Sequence, residues 1–313
     1  MKFFITGGAG FIGSNLAEEL LQKGDVTVYD NLSLGKKEFL DNLKHEKHHL
    51  KLIEEDLLDM EKLTKEIKGH DVVWHLAACS DISQGGKQTD MDLKNGTIAT
   101  YNVLEAIRLN NIKKIVFSST SAIYGETDKL PIPEDHGPLF PISFYGASKL
   151  AGEALISSFC HNFDFQAWIY RFANVVGRHG THGALFDFIN KLKSNPEELE
   201  ILGDGKQSKP YIEVKDCVAG MIFGYENAKE QLNYFNLGCN GNTCVTKIAE
   251  AVVKEMGLED VKFNFTGGSR GWKGDVPLVA YDVTKVNKLG WHAKYTSDEA
   301  VAAAAKDLVK ELN

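Results

Sequence analysis

The sequence contains few cysteines, and their spacing does not favour a metal site. Its 313 residues include five cysteines, an odd number, and no two of them form a Cys-x-x-Cys pair. The closest two, Cys239 and Cys244, have no cluster of histidines or further cysteines beside them. Disulfide scaffolds and zinc sites need such clusters. We therefore predict free thiols in a reducing cytoplasm and no bound metal.

Long apolar runs and an excess of positive charge are also absent. No stretch approaches the ~20 consecutive apolar residues that a membrane-spanning helix needs. The chain starts directly on a strand pattern, without the charged and apolar segments of a secretory leader. The 35 basic and 43 acidic side chains give a formal net charge of −8, which argues against a surface made for nucleic acid or anionic lipid. We predict a protein that binds neither nucleic acid nor membrane.

The first half of the sequence alternates between strand-like and helix-like segments. Short apolar runs predict strands at Lys2–Thr6, Val26–Asp30, Leu50–Glu54, Val72–Leu76, Lys114–Ser119 and Gln166–Phe172. Helical patterns are found at Ile12–Lys23, Leu57–Lys68, Met91–Asn110 and Tyr145–Cys160. Such alternation predicts βαβ units and a parallel sheet covered on both faces, which is a doubly wound α/β fold of the Rossmann type.

After Phe172 the pattern changes to glycine, proline and short strands mixed with helices. Helical patterns recur near Ala184–Lys193, Lys215–Asn227, Thr246–Met256 and Ser297–Leu312. This mixture predicts a smaller α/β region beside the carboxyl edge of the sheet, where open α/β sheets bind ligands. We expect one domain at 1–172 plus about 211–238, and a second region at 173–210 and 239–313.

A glycine-rich segment joins the first predicted strand to the first predicted helix. In Thr6-Gly7-Gly8-Ala9-Gly10-Phe11-Ile12-Gly13, Gly7 permits a tight turn, Gly10 lets backbone approach a pyrophosphate, and Gly13 allows close packing. The helix N-terminus offers N–H groups and the positive end of its dipole to phosphate. This placement favours a dinucleotide site over a glycine-rich turn without a ligand.

An acidic residue ends the second predicted strand. Asp30 lies seventeen residues after Gly13, where a carboxylate can accept hydrogen bonds from ribose hydroxyls and repel a 2′-phosphate. NAD is therefore the predicted cofactor, rather than NADP. Asp56 after the third strand could meet the adenine edge, and Ala77-Ala78 after the fourth could admit the cofactor backbone. Ordinary loop residues would explain both equally well.

A tyrosine and a lysine lie one helical turn apart further along the chain. Tyr145 and Lys149 are separated by four residues, so both side chains project from one helix face. An ammonium close to a phenol favours the phenolate, and we expect the pKa of Tyr145 to fall from ~10 toward working pH. A phenol tuned in this way can exchange a proton with a substrate hydroxyl. The spacing alone arises often by chance, so other motifs must support the interpretation.

Taken together, the motifs resemble the extended short-chain dehydrogenase/reductases, and within them the NAD-dependent nucleotide-sugar epimerase/dehydratase group. The matching segments follow in the expected order at Thr6–Gly13, Asp30–Ser33, His75–Ala78, Ser118–Gly125, Tyr145–Lys149 and Arg171–Gly177. The resemblance implies NAD contacts at Gly7, Gly10, Phe11, Ile12, Gly13, Asp30, Asn31, Ser33, Asp56, Leu57, Ala77, Ala78, Asn95, Ser118, Tyr145 and Lys149. Joint occurrence is far more specific than any single motif.

The resemblance also implies a catalytic hydroxyl at the end of the fifth strand, and Thr120 occupies that position. Its neighbours Ser119 and Ser121 are less favoured candidates. A hydroxyl there can bond both the reacting sugar hydroxyl and the Tyr145 oxygen. Lys149 would support the phenolate and hold the nicotinamide ribose.

The residues after Thr120 distinguish members of this family. Dehydratases and decarboxylases usually carry an acidic residue just after the catalytic hydroxyl, whereas Ser121 and Ala122 follow here. Because no acidic residue stands at this position, the sequence favours simple oxidation and re-reduction at sugar C4. NAD would accept the hydride, the 4-keto sugar would turn, and NADH would return the hydride to the other face.

The second region is expected to hold the nucleotide half of the substrate. The resemblance implies diphosphate contacts at Asn174 and at Lys209, where the family usually has an arginine. The change replaces a bidentate contact by a point charge. Arg270 is the preferred diphosphate clamp and Asp275 the expected ribose contact, with exposed surface charge as the competing interpretation for Lys209. Thr120 completes the predicted substrate contacts.

These features predict a UDP-hexose 4-epimerase that interconverts UDP-glucose and UDP-galactose. The family position that is bulky in enzymes restricted to plain hexoses is Val279 here, which leaves room for N-acetylated sugars. A UDP-glucuronate 4-epimerase or another nucleotide-sugar oxidoreductase is the alternative. A non-catalytic nucleotide sensor is disfavoured, since such proteins commonly lose the tyrosine or lysine. The resemblance further implies a homodimer formed through Met91–Asn110 and Tyr145–Cys160.

Overall fold

A computed structural model describes residues 1–271 and 276–312 of the chain. Its strands are β1 (Lys2–Thr6), β2 (Asp25–Asp30), β3 (Leu50–Glu54), β4 (Val72–His75), β5 (Lys114–Thr120), β6 (Gln166–Phe172), β7 (Asn174–Val176), β8 (Glu198–Ile201), β9 (Ser208–Lys209), β10 (Tyr211–Glu213), β11 (Leu232–Leu237), β12 (Thr243–Cys244) and β13 (Lys262–Phe265). Its α-helices are α1 (Phe11–Leu21), α2 (Met60–Glu66), α3 (Ile82–Gly85), α4 (Asp90–Asp92), α5 (Ala99–Leu109), α6 (Phe144–Phe163), α7 (Ala184–Ser194), α8 (Val214–Asn227), α9 (Val245–Glu255), α10 (Thr284–Leu289) and α11 (Ser297–Leu312). Within the described ranges, no helix is both long enough and apolar enough to cross a membrane.

Two compact units make up the described chain. The sheet unit comprises Met1–Gly125, Pro138–Arg171 and Met221–Phe235. The second unit comprises Glu126–Gly137, Phe172–Gly220 and the chain from Asn236 onward. Each unit therefore draws on several separate stretches of sequence.

One seven-stranded sheet forms the sheet unit, in the order β11-β6-β5-β4-β1-β2-β3. The pairs β1–β2, β1–β4, β2–β3 and β4–β5 are parallel. Consecutive residues Phe3, Phe4 and Ile5 of β1 are all buried, as expected for a strand that helices cover on both faces. The predicted doubly wound α/β fold is confirmed.

Helix α5 buries apolar side chains in the core of the sheet unit. On α5, Val103, Leu104 and Ile107 are fully buried in a core that also contains Phe4 and Ile115. Burying a side chain of this size stabilises the fold by about 1.5–3 kcal/mol relative to exposure. The sheet order reverses beside β1, and an open sheet forms its ligand crevice at the carboxyl ends of the strands on either side of such a point.

Two helix boundaries differ from the sequence prediction. The helix expected at Leu57–Lys68 begins only at Met60, because the Asp59 carboxylate accepts a hydrogen bond from the N–H of Lys62 at 3.0 Å and caps it. The single helix expected at Met91–Asn110 is instead α4, a π-helical segment at Leu93–Ile98, and α5. A π segment is wider than an α-helix and shifts the helix face that follows it.

The second unit is built from helices and three small sheets. Strands β7 and β10 pair in parallel, as do β8 and β13, whereas β9 and β12 are antiparallel. The apolar faces of α7, α9 and α11 pack around β8, with residues such as Ile189, Leu199, Ile248 and Leu308 in the common core. This core is separate from that of the sheet unit.

Candidate active site

The glycine loop after β1 has the shape that its sequence predicts. Gly7 has a φ of +69°, and a Cβ there would lie 2.7 Å from the backbone nitrogen of Ala77. A Cβ on Gly13 would lie 2.1 Å from the carbonyl oxygen of Gly7. A Cβ on Gly10 would meet the Gly7 carbonyl oxygen, at 3.3 Å. Gly7 and Gly13 therefore make the turn compact, while the first N–H groups of α1, at Phe11, Ile12 and Gly13, form its N-terminal end.

Asp30 ties this loop to the end of β2. Its carboxylate is buried and accepts hydrogen bonds from the N–H of Ala9 at 3.0 Å and of Leu32 at 2.9 Å. Burial raises the pKa of Asp30, and the two backbone donors lower it in part. Each carboxylate oxygen can accept more than one hydrogen bond. Asp30 can thus hold the loop and also accept from a ribose hydroxyl.

Other predicted cofactor residues follow the ends of β2, β3 and β4, and one lies in the π segment. The Asn31 amide donates to the Asp56 carboxylate at 3.0 Å, and the Ser33 N–H donates to the Asn31 side chain at 3.1 Å. Leu57 is buried in the core of the sheet unit. Asn95 lies in the π segment and donates to the Met91 carbonyl at 3.1 Å. Ala78 follows β4 and is half-buried.

A buried histidine that the sequence did not single out joins these loops. His75 lies between the hydroxyls of Thr6, at 2.6 Å from Nδ1, and Thr100, at 2.9 Å from Nε2. Thr100 donates to the Gly96 carbonyl at 2.6 Å, so its oxygen accepts a hydrogen bond from the Nε2–H of His75. Nδ1 then accepts from Thr6. Burial lowers the pKa of His75 to about 3, which keeps the ring neutral in this chain of hydrogen bonds.

The predicted catalytic residues lie close together where the carboxyl end of β5 meets the start of α6. Ser143 caps α6 by accepting from the Gly146 N–H at 3.0 Å. Tyr145, in the first turn of α6, is hydrogen-bonded to Thr120, the last residue of β5. The buried Lys149 Nζ donates to the Ser118 carbonyl at 2.6 Å and lies 6.0 Å from the centre of the Tyr145 ring.

The expected fall in the Tyr145 pKa is wrong for the protein by itself. Burial raises the pKa of Tyr145 to about 12, and the hydrogen bond from Thr120 offsets only part of that rise. Burial also lowers the pKa of Lys149 to about 7, although the carboxylates of Asp92 and Glu153 oppose the fall. The Nζ of Lys149 donates to the Ser118 carbonyl. For Tyr145, the desolvation that disfavours the phenolate therefore outweighs any stabilisation of the phenolate by Lys149.

A buried ion pair lies below these residues. Glu153 accepts from the Ser119 hydroxyl at 2.5 Å and from Arg171 at 3.0 and 2.7 Å. Arg171 also donates to the Tyr124 hydroxyl at 3.0 Å. The pair thus joins α6, β5 and β6 beside Thr120. Sequence spacing could have indicated Glu153, because it follows Lys149 by one helical turn.

Apart from Thr120, which lies in the sheet unit, the predicted substrate residues that are described lie in the second unit. Asn174 begins β7, and its N–H donates at 3.3 Å to the carbonyl of Pro210, which follows Lys209. The pairing of β7 with β10 therefore brings Asn174 and Lys209 close together. Arg270 forms an ion pair with Glu126. Asp275 lies outside the described residues.

A family model described as the NAD dependent epimerase/dehydratase family matches residues 3–238. The matched segment contains the glycine loop, Asp30, Thr120, Tyr145 and Lys149. The chain belongs to this family. The predicted family and its NAD cofactor are confirmed, and the compact glycine loop and buried Asp30 fit that cofactor.

Individual relatives narrow the class of enzyme. The chain is 31% identical over 303 residues to a putative UDP-glucose 4-epimerase of Methanocaldococcus jannaschii, covering 95% of each. A crystal structure of a UDP-galactose 4-epimerase is 36% identical, with a TM-score of 0.90 and full coverage of both chains. A UDP-N-acetylglucosamine 4-epimerase from Methanobrevibacter ruminantium M1, solved with UDP-N-acetylmuramic acid, is 28% identical, with a TM-score of 0.88, covering 99% of this chain and 98% of that one.

These three relatives share a reaction class but differ in the sugar that their names specify. The predicted enzyme class, an NAD-dependent nucleotide-sugar epimerase and hence an isomerase, is confirmed. The chain therefore groups with the UDP-sugar 4-epimerases of this family.

Proposed function

We propose that this enzyme interconverts UDP-glucose and UDP-galactose. The observation that carries the proposal is the group of Thr120, Tyr145 and Lys149, with no acidic residue directly after Thr120. Thr120 accepts from the N–H of Ala122 at 3.2 Å and starts a short 3₁₀ turn at Ser121–Tyr124. Neither Ser121 nor Ala122 can supply the extra acid–base step that elimination of water requires.

The side chains divide the proton chemistry between them. NAD, when bound, supplies the hydride acceptor and donor, and its oxidised ring adds positive charge that favours the Tyr145 phenolate. Tyr145 takes the proton of the C4 hydroxyl and later returns it, and Thr120 holds both oxygens at reacting distance. Lys149 supports the phenolate while it is charged. Net redox change is zero, so the cofactor need not leave.

The nucleotide half of the substrate is assigned to the second unit. Asn174, Lys209 and Arg270 are the proposed diphosphate contacts, and Asp275 the proposed ribose contact. Arg270 is paired with Glu126, and both side chains are half exposed, so the pair costs little to separate. Holding the nucleotide while leaving the sugar loosely held allows the sugar to turn.

Incubation of the purified enzyme with UDP-glucose and no added NAD tests the proposal. We expect UDP-galactose to accumulate to equilibrium without net NADH, as measured by chromatography of the UDP-sugars and absorbance at the nicotinamide band. Turnover of UDP-glucuronate alone would replace this function by the alternative epimerase. Net release of NADH would indicate an oxidoreductase instead.

N-acetylated UDP-sugars are a second candidate substrate class, favoured by Val279. The Val279 side chain is small and buried. The backbone carbonyl of Val279 accepts a hydrogen bond from the Asn242 side-chain amide at 2.7 Å, which fixes the backbone there. We expect UDP-N-acetylglucosamine to be turned over, and Val279→Tyr to lose that activity while keeping UDP-glucose turnover. Turnover of UDP-glucose with none of the N-acetylated sugar in the unaltered enzyme would contradict this proposal.

We also propose a homodimer through the outer faces of α5 and α6. Tyr101 and Leu109 of α5 are about half exposed, at 46% and 50%, and Phe163 of α6 is exposed at 38%. The Tyr101 and Phe159 rings lie 6.4 Å apart and Phe159 contacts Phe163, so these three aromatic side chains form one cluster across α5 and α6. Leu109 adds further exposed apolar area on α5. A second copy of the same surface would cover it.

Light scattering during size-exclusion chromatography measures the mass of the protein in solution. The dimer predicts twice the chain mass, and Tyr101→Glu should produce a monomer. Leu58→Glu places the same charge at another exposed apolar residue and should leave the dimer intact. A monomer in the unaltered protein would refute this assembly.

A further inference from the structure

A buried aspartate next to the relay has no assigned role. Asp92 ends α4 and is only 2% exposed. Among the described residues, its Oδ2 atom has no hydrogen-bond partner. A buried carboxylate oxygen without a hydrogen-bond partner is costly, so its position calls for a positive charge nearby.

Local geometry places this carboxylate at the start of α6. A Cβ built on Gly85 would lie 2.6 Å from Asp92 Oδ2 and 3.3 Å from the Cβ of Phe144, the residue before Tyr145. The π segment that follows Asp92 contacts α6 as well, because a Cβ on Gly96 would lie 2.4 Å from the Ser148 hydroxyl. Asp92 is thus held against the helix that carries Tyr145 and Lys149.

The charges around Lys149 identify the partner. Lys149 is 2% exposed and would be a buried cation when protonated. Among the described residues, the carboxylates that act on its charge are Asp92 and Glu153. Glu153 already faces the Arg171 guanidinium through two hydrogen bonds, so its charge is compensated. Burial raises the pKa of Asp92, and among the described residues the cation that lowers it is Lys149.

We propose that Asp92 is the counterion of the Lys149 ammonium and acts as a positioning residue of the relay. Its negative charge keeps Lys149 protonated in a site where desolvation favours the neutral amine. The same charge disfavours the Tyr145 phenolate, so Asp92 sets the charge balance between the two residues. The inference rests on the relay assigned under the proposed function.

The other titratable groups that face this pair do not replace Asp92. His75, on β4, is neutral because burial lowers its pKa to about 3. The Cys79 thiol, whose pKa burial and Asp92 both raise, is neutral too. Tyr145 is a neutral phenol in the protein alone, since its pKa is raised to about 12. The carboxylate of Asp92 is therefore the group whose removal changes the charge around Lys149.

Direct titration of Lys149 tests the proposal without relying on turnover. Lysine labelled with ¹³C at Cε gives one resonance per side chain, and the Lys149 resonance is the one lost in Lys149→Met. We expect Asp92→Asn, which keeps size and removes charge, to lower the Lys149 midpoint by about 1–3 pH units. Asp92→Glu, which keeps the charge, should stay close to the unaltered protein.

Asp90→Asn is the matched control. Asp90 lies two residues away, exposed and paired with Lys94, so its removal changes the net charge equally without facing Lys149. An unchanged Lys149 midpoint in Asp92→Asn, or an equal shift in Asp90→Asn, would overturn the proposal. Should the amide variant fail to fold, Asp92→Ser removes the same charge with a smaller side chain.

Activity then separates a positioning role from a structural one. For whichever UDP-sugar is turned over, the alkaline limb of the pH profile of kcat/KM should move to lower pH in Asp92→Asn. A merely structural residue would lower the rate at every pH without moving the limb. A chain with no epimerase activity would leave the titration of Lys149 interpretable, so the two proposals fail separately.

Discussion

At the scale of single residues, burial controls the proposed relay. Desolvation pushes both ionisable members toward their neutral forms, with the pKa of Tyr145 raised to about 12 and that of Lys149 lowered to about 7. The ordinary pKa values of the two groups are nearly equal, at 10.0 and 10.5. Burial therefore moves the two proton affinities apart in the protein alone, so the proposed phenolate needs the positive charge that bound NAD would add.

Replacing Tyr145 by Phe should abolish epimerisation. The change removes the hydroxyl that exchanges the proton, and we expect kcat to fall by about 10²–10⁴-fold. NAD released on denaturation should equal that of the unaltered enzyme, because the phenyl ring still fills the site. Tyr295→Phe removes a hydroxyl in the second unit and should be silent. Full activity of the Tyr145 variant would eliminate it as the base.

Glu153→Gln should destabilise the fold strongly. It leaves the buried Arg171 guanidinium without its carboxylate, and loss of one partner of a buried pair costs about 3–5 kcal/mol. Glu226→Gln breaks the exposed pair with Lys23 and should cost under about 1 kcal/mol. Urea unfolding measures both free energies. Equal losses of unfolding free energy in the two variants would show that the buried pair stabilises the fold no more than the exposed pair does.

At the scale of secondary-structure elements, the contact between the π segment and α6 places the relay. Gly96 lies in that segment against Ser148, which stands between Tyr145 and Lys149 on α6. The sequence predicted α6 and its two functional residues well, since they share one helix and one turn. It predicted a continuous α-helix at Met91–Asn110, because apolar periodicity does not reveal a single wider turn whose geometry depends on packing.

Gly96→Ala should shift α6 and reduce activity. Its Cβ would lie 2.4 Å from the Ser148 Oγ and 2.6 Å from the Ser148 Cβ, and such overpacking costs about 1–3 kcal/mol. Thermal unfolding and kcat measure the two effects. Adding Ser148→Gly removes both clashing atoms and should restore part of each.

Gly137→Ala is the control for this substitution. A Cβ there would meet none of the described atoms within 4 Å, so stability and activity should stay close to those of the unaltered enzyme. If Gly96→Ala behaves in the same way, the contact between the π segment and α6 does not position the relay.

At the scale of the whole molecule, buried polar groups make stability depend on pH. His75 is fully buried and fixed by Thr6 and Thr100. Its pKa is about 3 in the fold, against 6.5 for an ordinary histidine, so between these values the unfolded chain binds a proton that the folded chain does not. The stabilisation from His75 is therefore complete above about pH 6.5 and declines as the pH falls toward about 3.

The free energy of unfolding should fall by about 1.4 kcal/mol per pH unit in this window owing to His75 alone. Urea unfolding of the unaltered protein and of His75→Gln at several pH values between 7.5 and 4.5 isolates this effect. The difference between the two proteins should narrow as the pH falls. A His75 ring resonance that titrates near pH 6.5 in the folded protein would contradict the prediction.

The sequence by itself determined the order of strands and helices, the glycine loop, Asp30 and the spacing of Tyr145 and Lys149. These are local properties, set by apolar period, turn chemistry and one helical turn, and a family resemblance follows from their joint occurrence. Only the tertiary structure decided which buried groups meet across elements. Glu153 with Arg171, His75 between two threonines, and Asp92 beside α6 are distant in sequence, and their charge states depend on desolvation that only packing creates.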